Sequence, residues 1–392
     1  MSSPPSAPPP LRPAAAPAWL PVYAQMPLTA VSGHGSWLVD EAGNEWLDAY
    51  GGHAVASTGH CHPRVVRAIQ EQSARLIFYS TAVPLRLREE FADRIAERCP
   101  GDLGRVFFCN SGAEANENAL GLARKATGRQ KIVSVAGGWH GRTAACLAVT
   151  DGARYEAGAR RAGIPLSEKI PFNDSAAMAK AVDDQVAAVI VEPVQGMAGA
   201  RDCSAEFLRA ARSACDRAGA ALIFDEIQCG VGRSGAFTAA EVYGVIPDIL
   251  TLAKGLASGV PIGAMVATAA ITSGIGVGDL GSTFGGGPIA CAAGLATLEV
   301  LDDEDLYRNV RQVSAEIRSW ASGRLPVQGL GFLLGLRLPP PRSAAEVQRA
   351  LFDHRVLTGT AADPAILRLL PPLTLSSQEA KLLLDRLDKV LA

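Results

Sequence analysis

Short apolar runs alternate with amphipathic stretches along most of the chain. The mainly apolar runs predict strands, and they cover residues 106–110, 131–135, 186–192, 220–224 and 249–253; the run 220–224 is continuously apolar, which suits a strand buried on both faces of a sheet. Apolar positions at helical spacing, or Ala-rich composition, predict helices at 65–76, directly after Ala113, at 205–219 and at 289–301. This alternation predicts an α/β fold with a doubly wound, mainly parallel sheet.

The two ends of the chain differ from its middle in composition and in their pattern of apolar residues. Residues 1–20 are rich in Pro and Ala, which predicts a disordered tail. Turn residues at 41–44 between two short runs predict a hairpin in an N-terminal segment, 21–60, that packs with a smaller domain. A large domain is expected over 61–300. Short alternating strands and amphipathic helices after about residue 300 predict a small α+β domain, 301–392.

Composition narrows the class of protein. With a formal net charge of -2 over 392 residues, the chain offers no electrostatic reason to bind nucleic acid or an anionic membrane. No apolar run approaches the length of a transmembrane helix. The eight cysteines are scattered without a CxxC pair, which favours reduced thiols over a disulfide framework or a zinc site. We therefore expect a soluble, cytoplasmic protein.

Two predicted strands end in residues that suit cofactor chemistry. The run 220–224 stops at Asp225, and the run 249–253 stops at Lys254. In open α/β sheets ligands bind beyond the carboxyl ends of the strands, which is where both side chains fall. A carboxylate and an amine there are the groups that pyridoxal 5′-phosphate (PLP) requires, as pyridinium partner and Schiff-base lysine. A structural ion pair between them is the alternative.

Two predicted helix N-termini are candidate phosphate sites. Ser111, Gly112 and Ala113 lie between the strand 106–110 and a helix, so small residues and free N–H groups meet the positive end of the helix dipole. A simple Ser N-cap would give the same sequence. Ser282 and Thr283, beside glycines before the helix 289–301, form the second candidate.

Two arginines lie in settings that suit carboxylate recognition. Trp139 and Arg142 stand between glycines, which suggests a ring-stacking group and a carboxylate fork, although an exposed turn would also fit. Arg368 lies in an apolar run, and a buried guanidinium needs an anion from the protein or a substrate.

Two other motifs point to different chemistry. The stretch Gly230–Gly235 fits the GxGxxG dinucleotide fingerprint, and a dehydrogenase that binds NAD would rest on it alone. It lies several residues past its strand and opens no long helix, so we interpret it as a turn. His60, Cys61 and His62 could ligate a metal, but without a second cluster they are interpreted as a helix entry.

Seven motifs in order resemble the class III, ornithine-type aminotransferases, which have the type I fold of PLP-dependent transferases. The resemblance runs from about Tyr23 to the C-terminus, and it is strongest to the acetylornithine aminotransferases and their relatives that act on carrier-protein-linked lysine. The motifs are NSGAEANENAL from Asn110, GGWHGRT from Gly137, EPVQG from Glu192, IFDEIQCGVGRSG from Ile223, PDILTLAKGL from Pro247, GSTFGGGP from Gly281 and RLLPPL from Arg368.

The resemblance assigns roles within one chain to the following positions. Lys254 matches the Schiff-base lysine and Asp225 the partner of the pyridine nitrogen. Gln228 matches the contact to the phenolic oxygen, while Ile227 and Trp139 match the groups that pack on the ring. The phosphate would be held by Ser111, Gly112 and Ala113.

The resemblance also implies substrate contacts and a homodimer with shared active sites. Thr283 would reach the phosphate in the neighbouring subunit, with Ser282 close to that subunit's substrate. Arg142 matches the residue that binds the α-carboxylate of the amino donor, and Arg368 the one that binds 2-oxoglutarate.

The chain departs from the family pattern near these positions. Met197 replaces a glutamate that in related enzymes pairs with the arginine at position 368 and masks it, which puts strict ω-selectivity in doubt. Gly287 replaces an asparagine, and Ala257 and Ser258 interrupt the glycine run after the lysine.

The resemblance implies a ping-pong aminotransferase of arginine or lysine biosynthesis. Its expected substrates are N-acetylornithine, or an N-blocked lysine analogue, and 2-oxoglutarate. The alternative is another ω-amino acid or diamine donor, such as ornithine, 4-aminobutyrate or lysine. A non-catalytic relative is disfavoured because Lys254 and Asp225 are both present.

Overall fold

The computed structural model describes Leu20 and residues 22–392. The tail predicted over residues 1–20 therefore lies, apart from Leu20, outside the described residues. Within the described part of the chain, no helix is long and apolar enough to cross a membrane.

The secondary structure alternates as the apolar pattern predicts. The strands are β1 Ala30–His34, β2 Trp37–Asp40, β3 Glu45–Asp48, β4 Leu103–Cys109, β5 Lys131–Val135, β6 Glu168–Ile170, β7 Val186–Val191, β8 Val194–Gln195, β9 Arg201–Asp202, β10 Ala221–Asp225, β11 Ile249–Leu252, β12 Gly263–Thr268, β13 Val327–Leu330, β14 Leu333–Arg337, β15 Val356–Leu357, β16 Gly359–Thr360 and β17 Ile366–Leu369. The helical segments are α1 Gly51–Ala54, α2 Pro63–Arg75, α3 Arg86–Ala96, α4 Gly112–Thr127, α5 Ala144–Val149, α6 Ala153–Arg161, α7 Ser175–Ala181, α8 Ala205–Ala218, α9 Ala239–Tyr243, α10 Pro288–Asp303, α11 Leu306–Ala321, α12 Ala344–Asp353 and α13 Ser377–Leu391.

A seven-stranded sheet in the described chain organises the large part of the molecule. Its strand order is β4-β12-β11-β10-β7-β5-β6, and β12 alone runs antiparallel to its neighbours. Every residue of β7, β10, β11 and β12 is buried, because helices cover both faces of the sheet. The predicted α/β fold with a mainly parallel sheet is confirmed.

Strands from the N-terminal and C-terminal parts of the described chain form smaller sheets. The predicted hairpin is present, with β2 antiparallel to β3, and Asp40 Oδ1 accepts hydrogen bonds from Ala42 N (3.0 Å) and Asn44 N (2.8 Å) in its turn. Strand β3 also pairs with β15, which joins the N-terminal segment to the C-terminal part. The strands β13-β14-β17-β16 form an antiparallel sheet. The domain boundaries at residues 60 and 300 stay a prediction.

Candidate functional site

A cavity of about 620 Å³ opens where β10 and β11 end. Its wall contains nine of the residues that the sequence singles out, namely Ser111, Gly112, Ala113, Trp139, Arg142, Asp225, Ile227, Gln228 and Lys254. Arg368, Ser282 and Thr283 are not part of this wall. The carboxyl ends of the parallel strands thus bring together side chains that are far apart in sequence.

Lys254 is separated from β11 by Ala253 alone and begins a short 3₁₀ turn with a positive φ of 40°. Burial lowers the pKa of its amine from the ordinary value, and the charge of Asp225 opposes this shift. A lowered pKa increases the fraction of uncharged amine, which is the form that attacks an aldehyde. Lys254 is therefore suited to covalent attachment of a carbonyl group.

Asp225 is the last residue of β10, and its carboxylate is held from both sides. Oδ2 accepts hydrogen bonds from Asn116 Nδ2 (2.7 Å) and from His140 Nδ1 (2.8 Å), while Oδ1 accepts one from Ile227 N (3.1 Å). Thr251 Oγ1 donates to Asn116 Oδ1 (2.7 Å), so the Asn116 amide is fixed with its NH₂ towards Asp225. All of these side-chain donors are buried.

Asn116 and His140 are functional candidates that the sequence analysis did not single out. Asn116 belongs to α4, and His140 belongs to the loop after β5. Both lie inside sequence motifs named above, Asn116 in NSGAEANENAL and His140 in GGWHGRT, so the resemblance to the family already covered these two positions. The contact to Asp225 depends on how α4 packs on the sheet, which the local sequence pattern does not contain.

The N-terminus of α4 borders the cavity. Ser111 Oγ accepts from Glu114 N (3.2 Å), and a Glu114 carboxylate oxygen accepts from Ser111 N (3.1 Å), so Ser111 forms a capping box. The Ser N-cap left open by the sequence is therefore present. Gly112 and Ala113 start the helix on the cavity wall, and a Cβ at Gly112 would lie 2.7 Å from Ile227 Cδ1. Glycine thus allows the helix terminus to approach Ile227 closely, which leaves a cradle of backbone N–H groups for an anion.

An aromatic cluster supports Arg142 at the cavity. The Arg142 guanidinium lies 5.1 Å from the Trp139 ring and 5.5 Å from the Tyr155 ring, and the two rings meet edge to face. Glu192 Oε1 accepts a hydrogen bond from Trp139 N (2.7 Å), and burial raises the pKa of Glu192 to about 7. The cluster presents an exposed cation beside an aromatic surface; the role of Arg142 in binding a carboxylate stays a prediction, and Tyr155 was missed.

Arg368 lies on β17 just behind the cavity wall. Its guanidinium donates to Thr360 O (2.6 Å), to Gly196 O (3.1 Å) and to Tyr50 Oη (3.4 Å). It is 2% exposed, and no carboxylate of the described residues forms an ion pair with it. Met197, next to Gly196, lines the cavity.

Ser282 and Thr283 lie outside the cavity of their own chain. Ser282 Oγ accepts from Asn110 Nδ2 (3.2 Å) and from Gly285 N (3.1 Å), and Thr283 is exposed. Phe284, beside them, is 63% exposed and packs on Phe78 with ring centroids 5.0 Å apart. Their predicted role in a neighbouring subunit stays a prediction.

The two competing motifs have structural explanations. The stretch 230–235 is a run of turns, and the next helix, α9, starts only at Ala239, so no helix N-terminus is available there for a pyrophosphate. His60 Nε2 lies 2.8 Å from Asp48 Oδ2, and His62 caps α2. Across the described residues no group of three or more His, Cys, Asp or Glu could hold a metal ion.

Comparisons with known proteins agree with this geometry. Residues 21–391 match the family Aminotransferase class-III. Acetylornithine aminotransferase of Methanocaldococcus jannaschii is 39% identical over 385 residues, covering 95% of each chain. The protein of the same name from Methanopyrus kandleri is 41% identical over 374 residues, covering 94% of each.

Solved structures show the same architecture. Ornithine aminotransferase from Toxoplasma gondii ME49 superposes with a TM-score of 0.89 at 31% identity, covering 95% of this chain and 92% of that one. N-acetylornithine aminotransferase from Stenotrophomonas maltophilia K279a has a TM-score of 0.81 at 30% identity, covering 95% and 97%. A second structure of the Toxoplasma gondii enzyme is described with partial occupancy of PLP at its active site.

The residues of the cavity fit PLP. The lowered pKa of Lys254 suits reaction with the aldehyde, and the Asp225 carboxylate, fixed by buried donors, suits the ring nitrogen. The N-terminus of α4, where a Cβ at Gly112 would be crowded, suits the phosphate. The chain therefore belongs to the class-III aminotransferases and is a PLP-dependent aminotransferase of the type I fold.

Proposed function

We propose that this enzyme moves the terminal amino group of N-acetylornithine, or of an N-blocked lysine analogue, to 2-oxoglutarate. The products are a semialdehyde and glutamate, as expected in arginine or lysine biosynthesis. One observation carries the proposal: the cavity holds Lys254 and Asp225 together with one arginine at its wall, Arg142, and a second behind it, Arg368. The acetylornithine aminotransferases among the relatives, matched over nearly their full length, support it.

The chain's own residues divide the chemistry between them. When bound, PLP supplies an aldehyde that takes up the amino group and a ring that withdraws electrons from the substrate carbon. Asp225 holds the proton on the ring nitrogen, and Asn116 and His140 hold Asp225. Lys254 moves the proton off the substrate carbon that bears the amine and returns it in the reverse half-reaction. The N–H groups at Gly112 and Ala113 would hold the phosphate, Ile227 and Trp139 would exclude water from the ring, and Gln228 would bind the phenolic oxygen.

The two arginines bind carboxylates in different half-reactions. Arg142 is exposed and braced by Trp139 and Tyr155, so a donor α-carboxylate would meet it at the mouth of the cavity. Arg368 is buried among neutral oxygen atoms, so its charge is available to the carboxylate of 2-oxoglutarate.

Met197 supports a second candidate function within the same chemistry. It places a thioether, not a carboxylate, on the cavity wall beside Gly196, whose carbonyl accepts from Arg368, so position 197 adds no negative charge that would repel the α-carboxylate of a different donor. Ornithine, 4-aminobutyrate and lysine are the donors that this change would admit.

We infer that the enzyme acts as a homodimer in the cytoplasm. An apolar patch formed by Ile77, Phe78, Tyr79 and Phe284 is exposed, with Ile77 66% and Phe284 63% accessible. It adjoins Ser282 and Thr283, whose hydroxyl groups do not reach the cavity of their own chain. A second copy of the chain would cover the patch and receive these hydroxyls, and the eight cysteines, all free, suit a reducing compartment.

The proposal is tested by the amino donor that the PLP-loaded enzyme uses. The visible absorption of the bound cofactor is followed after mixing with one amine in the absence of 2-oxoglutarate. N-acetylornithine should change the spectrum much faster than ornithine, 4-aminobutyrate or lysine. A faster change with one of the other amines would overturn the proposed donor and favour the function that Met197 suggests.

A further inference from the structure

The segment α1 is a turn of left-handed helix. Its residues Gly51, Gly52, His53 and Ala54 have φ values of 58°, 56°, 69° and 67°. Ala54 N donates to Tyr50 O (3.1 Å) and Val55 N donates to Gly51 O (2.8 Å), which closes the turn. Left-handed backbone is unfavourable for every residue with a side chain, and such strain persists mainly at functional sites. His53 and Ala54 are the residues that carry this cost.

Buried polar contacts hold the turn in place. Asp48 is 2% exposed, and its Oδ1 accepts hydrogen bonds from Tyr50 N and Gly51 N, both at 2.8 Å. Its Oδ2 lies 2.8 Å from His60 Nε2. On the cavity side, Gln228 Nε2 donates to His53 O (3.2 Å). The backbone of His53 is therefore tied to a residue that faces the cofactor.

The turn presents the His53 imidazole to the cavity, on the side of Arg368. His53 lines the cavity, and its ring lies 4.8 Å from the Tyr50 ring, whose hydroxyl accepts from Arg368. Burial, and then the charges of Arg368 and Lys254, lower the pKa of His53. A neutral imidazole has one N–H to donate. Among the described residues neither ring nitrogen of His53 has a hydrogen-bond partner.

Arg368 has two N–H groups left for a ligand in this arrangement. Its Nε, Nη1 and Nη2 atoms already donate to Thr360 O, Gly196 O and Tyr50 Oη, which uses three of its five N–H groups. The cation attracts a carboxylate by charge, and His53 offers a further donor that faces the cavity. A site with both would recognise a carboxylate by charge and by contact.

We propose that His53 donates a hydrogen bond to the substrate carboxylate that Arg368 attracts, so that the two residues together hold one carboxylate of the keto acid that accepts the amino group. This inference rests on the proposed function, because it takes Arg368 as the acceptor's carboxylate site. It adds a contact that lies on the strained turn, outside every motif that identifies the family.

The test measures the binding of glutarate, a dicarboxylate that cannot react, to the PLP-loaded enzyme. Binding is followed by calorimetry and by the shift of the visible absorption. His53→Ala should weaken glutarate binding about tenfold, the loss expected for one hydrogen bond to a charged group. Ala54 already adopts φ 67°, so alanine is compatible with this turn. His53→Gln, which restores an N–H donor, should recover most of the affinity.

A double-mutant cycle distinguishes a contact of His53 with the carboxylate from an effect of the substitution on folding. In an Arg368→Ala background, His53→Ala should change glutarate binding by less than about twofold, because the two residues act on the same carboxylate. Retained PLP and an unchanged Tm show that the turn is intact. If His53→Ala loses the cofactor, His53→Gly replaces it, since glycine suits positive φ.

Three results would overturn the proposal. These are unchanged glutarate affinity in His53→Ala, the same tenfold loss in both backgrounds, and a wild-type enzyme that does not bind glutarate. The donor spectrum described above is independent of this test. A different preferred donor would remove the proposed function and leave the His53 result standing.

Discussion

Asp225 is oriented by side chains from two other elements. Asn116 reaches it from α4 and His140 from the loop after β5, and both donate to the same oxygen. The second oxygen accepts only a backbone N–H, from Ile227, among the described residues, which leaves lone-pair capacity for a ligand's ring nitrogen. The direction of this carboxylate is thus set before the cofactor binds.

We expect Asn116→Leu to weaken PLP binding at least about tenfold, because Asp225 loses a donor and Thr251 is left without its acceptor. Unfolding should become easier by about 1–3 kcal/mol. PLP dissociation is measured by absorption, together with the pH dependence of the visible band. Asn118→Leu on the same helix is the matched control, since Asn118 donates only to Glu114 O. Equal effects of the two variants would contradict the positioning role.

The placement of Lys254 and Asp225 was predictable because each ends a continuous apolar run. Such runs mark parallel strands, and parallel strands end at one edge. The details were not predictable. Arg368 donates to the carbonyl oxygen of Gly196, which lies more than 170 positions away in the sequence. The placement of His53 at the cavity depends on tertiary contacts in the same way. Sequence periodicity carries no information about such contacts.

At the scale of elements, the carboxylate of Glu226 caps α9. It accepts from Ala239 N (2.5 Å) and Ala240 N (2.7 Å) while fully buried. Burial raises its pKa from 4.5 to about 8, despite the two N–H groups that favour ionisation. Burial also raises the pKa of Glu192, to about 7, so this carboxyl group likewise keeps its proton to a higher pH in the folded protein than in the unfolded chain.

This predicts that the enzyme without cofactor becomes less stable as the pH rises. Between pH 4.5 and about 8 the folded protein keeps a proton on Glu226 that the unfolded chain releases. The resulting stability is fully present below pH 4.5 and is lost as the pH rises through about 8. Urea unfolding at about pH 5 and about pH 8 measures it. Glu226→Gln should flatten the dependence, whereas Glu206→Gln, at an exposed position of α8, should not. An unchanged slope in Glu226→Gln would contradict the assignment.

Element positions were predictable where the apolar pattern is long. The strand at 131–135 and the helix α10 agree with the sequence to within two residues. Strand β12, Gly263–Thr268, was missed, and so was its antiparallel direction. Its six residues follow Lys254 closely and lack a helix before them, so nothing in the periodicity separates them from a loop.

At the scale of the whole molecule, the apolar patch at Ile77, Phe78, Tyr79 and Phe284 predicts a dimer in solution. Phe78→Asp should shift the protein towards monomer, because it places a charge in the covered surface, and should weaken PLP binding through loss of the other subunit's Thr283. Analytical ultracentrifugation and a PLP titration measure both. Val277→Asp, at a fully exposed apolar position outside this patch, is the control. A wild-type protein that sedimented as a fully active monomer would contradict the shared site.

The central claim is that Lys254 carries the cofactor in this class-III aminotransferase. Borohydride fixes PLP covalently on the lysine that holds it, and mass mapping of the peptides then identifies that residue. The account predicts a single label on the peptide that contains Lys254, and no label in Lys254→Ala. A label on a different lysine, or a wild-type protein that takes up no label after PLP is supplied, would contradict it.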